Sequence, residues 1–151
     1  MKSADYYLLD VFTEQPFTGN PLAVFLASDE LDTSTMQALA NELNLAETVF
    51  VGAATQPNHY PMRIFTPTRE LPFAGHPTVG TAHLLAALEL ANPTQPLVLH
   101  PPIGELAITS TSGRTEFTTS QAVMLSASTL DRPTAVALLG LDIHQVVGDP
   151  V

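Results

Sequence analysis

Apolar residues along this chain recur with two periods, and the change from one to the other falls at turn signals. DYYLLDVF, residues 5–12, is aromatic and aliphatic enough for a strand, and the run Tyr7, Leu8, Leu9 breaks alternation and predicts burial on both faces. TEQPFTGNP follows with two prolines, a glycine and an asparagine, a structured loop in which Gly19-Asn20-Pro21 makes a small-residue turn. LAVFLA, residues 22–27, returns to strand character. Asp32 or Thr33 then caps a helix whose Met36, Leu39, Ala40 and Leu43 fall on one stripe, ending near Asn41 to Asn44. AETVFVGAA enters a strand at Glu47, and YPMRIFTP alternates from Tyr60 until Pro67 stops it.

The longest predicted element is a helix over residues 77–90. Val79, Ala82, Leu85, Ala86 and Leu90 recur at helical spacing and only His83 and Glu89 are strongly polar, so other elements are expected to wrap it. LVLH, GELAITSTSG and RTEFTTSQAVML then read as a meander of antiparallel strands broken by Pro101-Pro102 and Ser112-Gly113. TLDRPTAVALL carries a cap, Pro133 in its first turn and Gly140 past its end, the start and stop of a last helix. The order of elements is not the regular βαβ of a doubly wound fold, and no repeat or dinucleotide-binding motif is present. HQVVGDPV, the last eight residues, stops at a turn signal and reads as a chain cut off.

Composition narrows the classes. The 151 residues suffice for one substantial core, so a single domain is the default. No apolar run approaches a bilayer span and the N-terminus is no signal peptide, so no membrane partner and a cytoplasmic location are expected. Five basic residues against fifteen acidic ones, a formal charge of -10, make nucleic acid a poor partner. The absence of cysteine removes disulfides, thiolate nucleophiles and Cys-based metal sites. His59, His100 and His144 show no metal-ligand spacing, so no metal is expected.

Candidate chemistry gathers at two places. ELPFAGHPTVGTAHLL sets Gly75, His76 and Pro77 before the apolar helix, with the proline at the first helical position. The N–H groups of Thr78, Val79 and Gly80 would then be free to hold a carboxylate, with the Thr78 hydroxyl as a further donor. His76 beside that helix end suits a neutral, proton-passing imidazole; the plainer alternative is a capping surface histidine. Glu47 lies among apolar neighbours at a strand start, where partial burial pushes carboxylates toward the range of a general acid and base. It could equally cap the strand or pair with Arg63 or Arg69. Glu70 is expected to make an ion pair or brace the backbone, Asp10 to be structural, His83 to be a core or interface residue, and Gly19-Asn20-Pro21 to be either a plain turn or part of the binding site.

DVFTEQPFTGNPLAVF, NLAETVFV and IFTPTRELPFAGHPTVGTAH, in this order, resemble the N-terminal half of the phenazine-biosynthesis isomerase-like family, a branch of the diaminopimelate epimerase superfamily. The resemblance covers about residues 5–90. It implies an α+β fold of two similar domains, each an antiparallel sheet rolled around a central helix, with residues 1–151 forming a truncated first domain and the second absent. It implies that Glu47 is the general acid and base that moves a proton between carbons of a dihydro-hydroxyanthranilate ring, and that His76 assists. Gly75 and the helix-start amides, with Thr78, Gly19 and Asn20, would bind a small cyclic or amino-acid-like carboxylate, without metal or cofactor. The family's second domain brings another glycine-rich helix start and an aspartate, so the chain alone is expected to be inactive, and to form a homodimer or associate with the missing domain. The superfamily's cysteine pair is absent, which excludes racemisation by that route. The alternative reading is a non-catalytic protein that binds small carboxylates, and a third is a purely structural domain.

Overall fold

The structure is a computed structural model that describes residues 5–111, 114–118 and 126–149. Its chain divides into two compact units, residues 1–120 and 121–151. The first holds strands β1 (Tyr6–Val11), β2 (Asn20–Phe25), β3 (Glu47–Val51), β4 (His59–Phe65), β5 (Glu70–Leu71), β6 (Leu97–His100), β7 (Leu106–Thr111) and β8 (Arg114–Thr118), with helices α1 (Thr33–Leu43) and α2 (Gly75–Ala87). The strands form one sheet in the order β1-β2-β3-β4-β6-β7-β8, with β5 paired to β4.

That sheet curls around α2, which touches β1, β2, β3, β6 and β8. Residues of alternate parity explain why. Val24, Val49, Val51, Met62, Ile64 and Leu99 turn inward onto Ala82 and Leu85 of α2, while Phe25, Phe50 and Phe65 turn outward beneath Met36 and Ala40 of α1. The two-period pattern thus covers both faces of the central strands. α1 forms as its stripe predicts: the Asp32 carboxylate accepts the Thr35 N–H at 2.7 Å, and Asn44 closes the helix in the left-handed conformation at φ 51°.

Four expectations need correction. The sheet is mixed rather than antiparallel, because β2 and β3, and β4 and β6, pair in parallel; α1 crosses between the first pair and α2 between the second, and crossovers of that kind are what parallel strands need. Of the run Tyr7, Leu8 and Leu9, the first two are exposed and only Leu9 packs against the core, because β1 is an edge strand. The central helix begins at Gly75, two residues before the proline, and ends at Ala87. His83 is exposed on that helix, which removes the core alternative of its expectation and not the interface one. The TEQPFTGNP loop is ordered, its Phe17 N–H donating to the Asp10 carboxylate and Thr13 bonded to Thr18, so Asp10 is structural as expected.

Residues 119–125 of the last predicted strand, and the Ser112-Gly113 break, lie outside the described residues. In the second unit, α3 (Arg132–Leu139) starts at Asp131, whose side chain accepts the Thr134 N–H at 2.9 Å, and ends at Gly140 with φ 64°. The Arg132 guanidinium donates to the Ile143 and Val146 carbonyls and holds the following 3-10 turn, Ile143–Gln145.

Candidate active site

Glu47 is the first residue of β3 and shares the inner face with Val49 and Val51, so the two-residue period aims its carboxylate at the start of α2. His76, second residue of α2, is buried there, and its Nδ1 lies 3.5 Å from Glu47 Oε2. Neither Arg63 nor Arg69 is the partner of Glu47. Arg63 instead forms a two-pronged bond with Glu70, Nε to Oε1 at 2.7 Å and Nη2 to Oε2 at 2.6 Å, tying β5 to β4. Glu70 therefore makes the ion pair expected of it.

Burial holds the His76 imidazole below its ordinary range, while the charge of Glu47 and the nearby Pro21 carbonyl act in the opposite sense. The ring is thus held toward its neutral form beside Glu47, a combination suited to passing a proton. Glu47 Oε2 and His76 Nε2 are both buried, the first resting 3.5 Å from His76 Nδ1 and the ring lying beside the Pro21 carbonyl, and neither atom makes a well-formed hydrogen bond among the described residues.

The start of α2 supplies donors, though not the ones the sequence suggests. Ala74 is the N-cap and offers no side chain. With the helix beginning at Gly75, the first-turn N–H groups without an intrahelical acceptor belong to Gly75 and His76, since Pro77 has none. Thr78 is not free: its N–H reaches the Ala74 carbonyl at 3.4 Å, and its buried hydroxyl donates to the same oxygen at 2.8 Å. A Cβ at Gly75 would meet nothing nearer than Phe117 Cζ at 3.9 Å, so packing does not demand glycine there. Gly80 differs, since a Cβ would fall 2.7 Å from Leu22 Cδ2 and 2.8 Å from Val11 Cγ2.

Gly19-Asn20-Pro21 joins this region through β2. Leu22 stands opposite Glu47 in the parallel register, which brings the turn ahead of it alongside the site. Gly19 answers to packing, because a Cβ would lie 2.5 Å from the Val11 carbonyl oxygen. Asn20 is exposed at the strand start. A cavity of about 600 Å³ borders this turn, lined among others by Asp10, Thr13, Phe17, Gly19 and Pro21, and neither Glu47 nor His76 lines it. A cavity of about 1030 Å³ lies between the start of α1 and the first two strands, and contains none of the predicted catalytic or binding residues.

Phe73 and Phe117, in edge-to-face contact with centroids 5.5 Å apart, stand beside Gly75 and escaped the sequence reading. Phe117 comes from β8, and no local pattern could announce that it returns to the start of α2.

Relatives place this arrangement in context. The chain is 56% identical over 89 residues to an uncharacterised isomerase of Mesorhizobium japonicum, covering 58% of this chain and 30% of that protein. It is 49% identical over 82 residues to trans-2,3-dihydro-3-hydroxyanthranilate isomerase of Pseudomonas aeruginosa, 54% of this chain and 30% of the relative. Among solved structures, a phenazine biosynthesis protein of the PhzF family from Bacillus anthracis superposes with a TM-score of 0.68 at 32% identity, over 78% of this chain and 40% of that one. A protein from Pseudomonas aeruginosa described as a predicted epimerase superposes with a TM-score of 0.65 at 43% identity, over 70% of this chain and 38% of that one. The chain thus spans well under half the length of each of these four. The profile of the phenazine biosynthesis-like proteins matches residues 9–148, and with the curled sheet around α2 it establishes that the chain belongs to that family.

Proposed function

We propose that Glu47 and His76 are the acid–base half of a proton-transfer site, and that this chain is the first domain of an isomerase acting on a small cyclic or amino-acid-like carboxylate. The observation that carries the reading is the Glu47 carboxylate 3.5 Å from the buried His76 ring. The substrate carboxylate sits at the Gly75 and His76 N–H groups, where the helix dipole favours an anion, with Gly19 and Asn20 alongside. Glu47 takes a proton from one ring carbon and returns it to another. A double bond moves, nothing is oxidised, and the proton count at the end equals that at the start. The neutral His76 keeps the carboxylate oriented and exchanges protons with it.

The P. aeruginosa relative is named for isomerising trans-2,3-dihydro-3-hydroxyanthranilate, and that ring is the first substrate to try. A second domain completes the cleft in this reading, which the coverage of 30% of the curated relatives supports. With half the reacting geometry missing, the 151-residue chain is expected to be inactive alone, because positioning is worth orders of magnitude in rate.

The test follows deuterium uptake from solvent at carbon in a panel of small cyclic carboxylates. It uses this chain and, where the reading frame continues past residue 151, the longer product. Uptake by the longer form that vanishes in Glu47→Gln is the expected result. Carboxylate binding without exchange in either form would make the protein a non-catalytic binder, and the absence of both binding and exchange would overturn the proposal.

A further inference from the structure

On the outer face of the sheet, two histidines far apart in sequence meet. β4 and β6 run parallel with Pro61 opposite His100, and His59 Nδ1 lies 3.0 Å from His100 Nε2. Tyr60, Met62 and Leu99 point inward to the core around α2, so His59 and His100, of opposite parity, face away from Glu47. Both rings are partly buried, and the His100 side chain retains 28% exposure. On its far side, His100 Nδ1 is 3.7 Å from Glu105 Oε1.

We propose that His59 and His100 form a two-histidine site for a borderline divalent transition-metal ion, with Cu²⁺ bound most tightly. Nitrogens 3.0 Å apart, each about 2.0–2.1 Å from one ion, subtend roughly 95° at it, the cis arrangement of a tetragonal centre. Imidazole suits Cu²⁺, Ni²⁺ and Zn²⁺, and the order of divalent affinities puts Cu²⁺ first. Metal entry would replace the one hydrogen that the facing nitrogens share: that proton leaves to solvent while each ring carries its hydrogen on its other nitrogen, so that both facing nitrogens present lone pairs. Glu105 behind His100 is the carboxylate that metal-bound imidazoles commonly carry on their other nitrogen.

The frame that holds these rings is rigid. The His59 N–H donates to the Gln56 carbonyl at 3.0 Å, and its own carbonyl accepts the Thr55 N–H at 3.0 Å. Next to it the buried Asn58 side chain bonds Asn92 and Gln95, tying the start of β4 to the loop before β6. Sites carried on such a scaffold lose little order on binding. Among the described residues no three His, Asp or Glu side chains gather at one point, so the ion's remaining positions belong to water.

Copper sulfate titrated into the 151-residue chain, read by electron paramagnetic resonance, tests this. One equivalent should bind with hyperfine coupling to two imidazole nitrogens. His59→Gln and His100→Gln should each remove one nitrogen and weaken binding at least about tenfold, and Glu105→Gln, on a largely exposed side chain, should weaken it about tenfold without touching the fold. A double change of His83 and His144 to Gln should leave binding unaltered. Copper binding that ignores the His59, His100 and Glu105 variants, a spectrum without two imidazoles, or no binding would each overturn the assignment.

Discussion

Gly80→Ala tests how closely the central helix approaches the sheet. A methyl group there would lie 2.7 Å from Leu22 Cδ2 and 2.8 Å from Val11 Cγ2, well inside ordinary contact. Leu22 is fully buried and Val11 nearly so, and the β-branched valine has little rotameric freedom with which to yield. Overpacking of this kind costs about 1–3 kcal/mol. Exchanging glycine for alanine inside a helix returns about 1 kcal/mol. The balance is a net loss of up to about 2 kcal/mol, with the displacement passed through Leu22 to its register partner Glu47. Gly75→Ala is the matched control, since its methyl group meets only Phe117 Cζ at 3.9 Å. Urea unfolding followed by far-ultraviolet circular dichroism should lower the midpoint for Gly80→Ala and leave Gly75→Ala unchanged or slightly more stable. If Gly80→Ala were stabilised by the full helix-propensity gain, the close packing inferred between α2 and β1–β2 would be refuted.

Two further outcomes are expected. Leu85→Ala, at a fully buried position on α2, should cost about 2–5 kcal/mol in the same assay, and a change under 1 kcal/mol would mean that α2 is not the centre of the core. His76 titrates lower in the folded chain than in the unfolded one, chiefly through burial. The unfolded chain therefore takes up the proton first as pH falls. The stability contributed by the neutral ring is complete above about pH 6.5 and is lost as pH drops through the folded value. The urea midpoint should fall on acidification below neutrality with a slope that His76→Gln reduces, and an unchanged slope would contradict the burial of that imidazole.

Local physics made most elements readable from sequence. Asp32 before a stripe of Met36, Ala40 and Leu43, and Pro133 with Gly140 around the last helix, are end signals that act within a few residues. The start of α2 misled because Ala74 caps it without a side chain, so the proline became the visible marker although it is the third helical residue. The exposure of Tyr6 to Leu8 was not readable, because apolar content says nothing of whether a strand ends up at an edge. The parallel pairs depend on which strands become neighbours after a helix intervenes, and the meeting of His59 with His100 follows from one of them. Glu47 and His76 were singled out separately by local chemistry and together by family resemblance; their separation of 3.5 Å is a product of tertiary packing.

Among the described residues β1 closes one end of the sheet and carries Tyr6, Tyr7 and Leu8 in the open, an invitation for another strand to pair along that edge. The same molecule carries a formal charge of -10, which holds copies apart over the distance that dissolved ions allow. At low ionic strength that repulsion reaches tens of ångströms, and near 1 M salt it shrinks to about 3 Å. The protein's colloidal behaviour is consequently a contest between a short-range sticky edge and a long-range charge, with salt deciding the winner. Dilute buffer keeps the chain dispersed, and concentrated salt, although it screens the acidic self-repulsion within each molecule, exposes the edge to its neighbours.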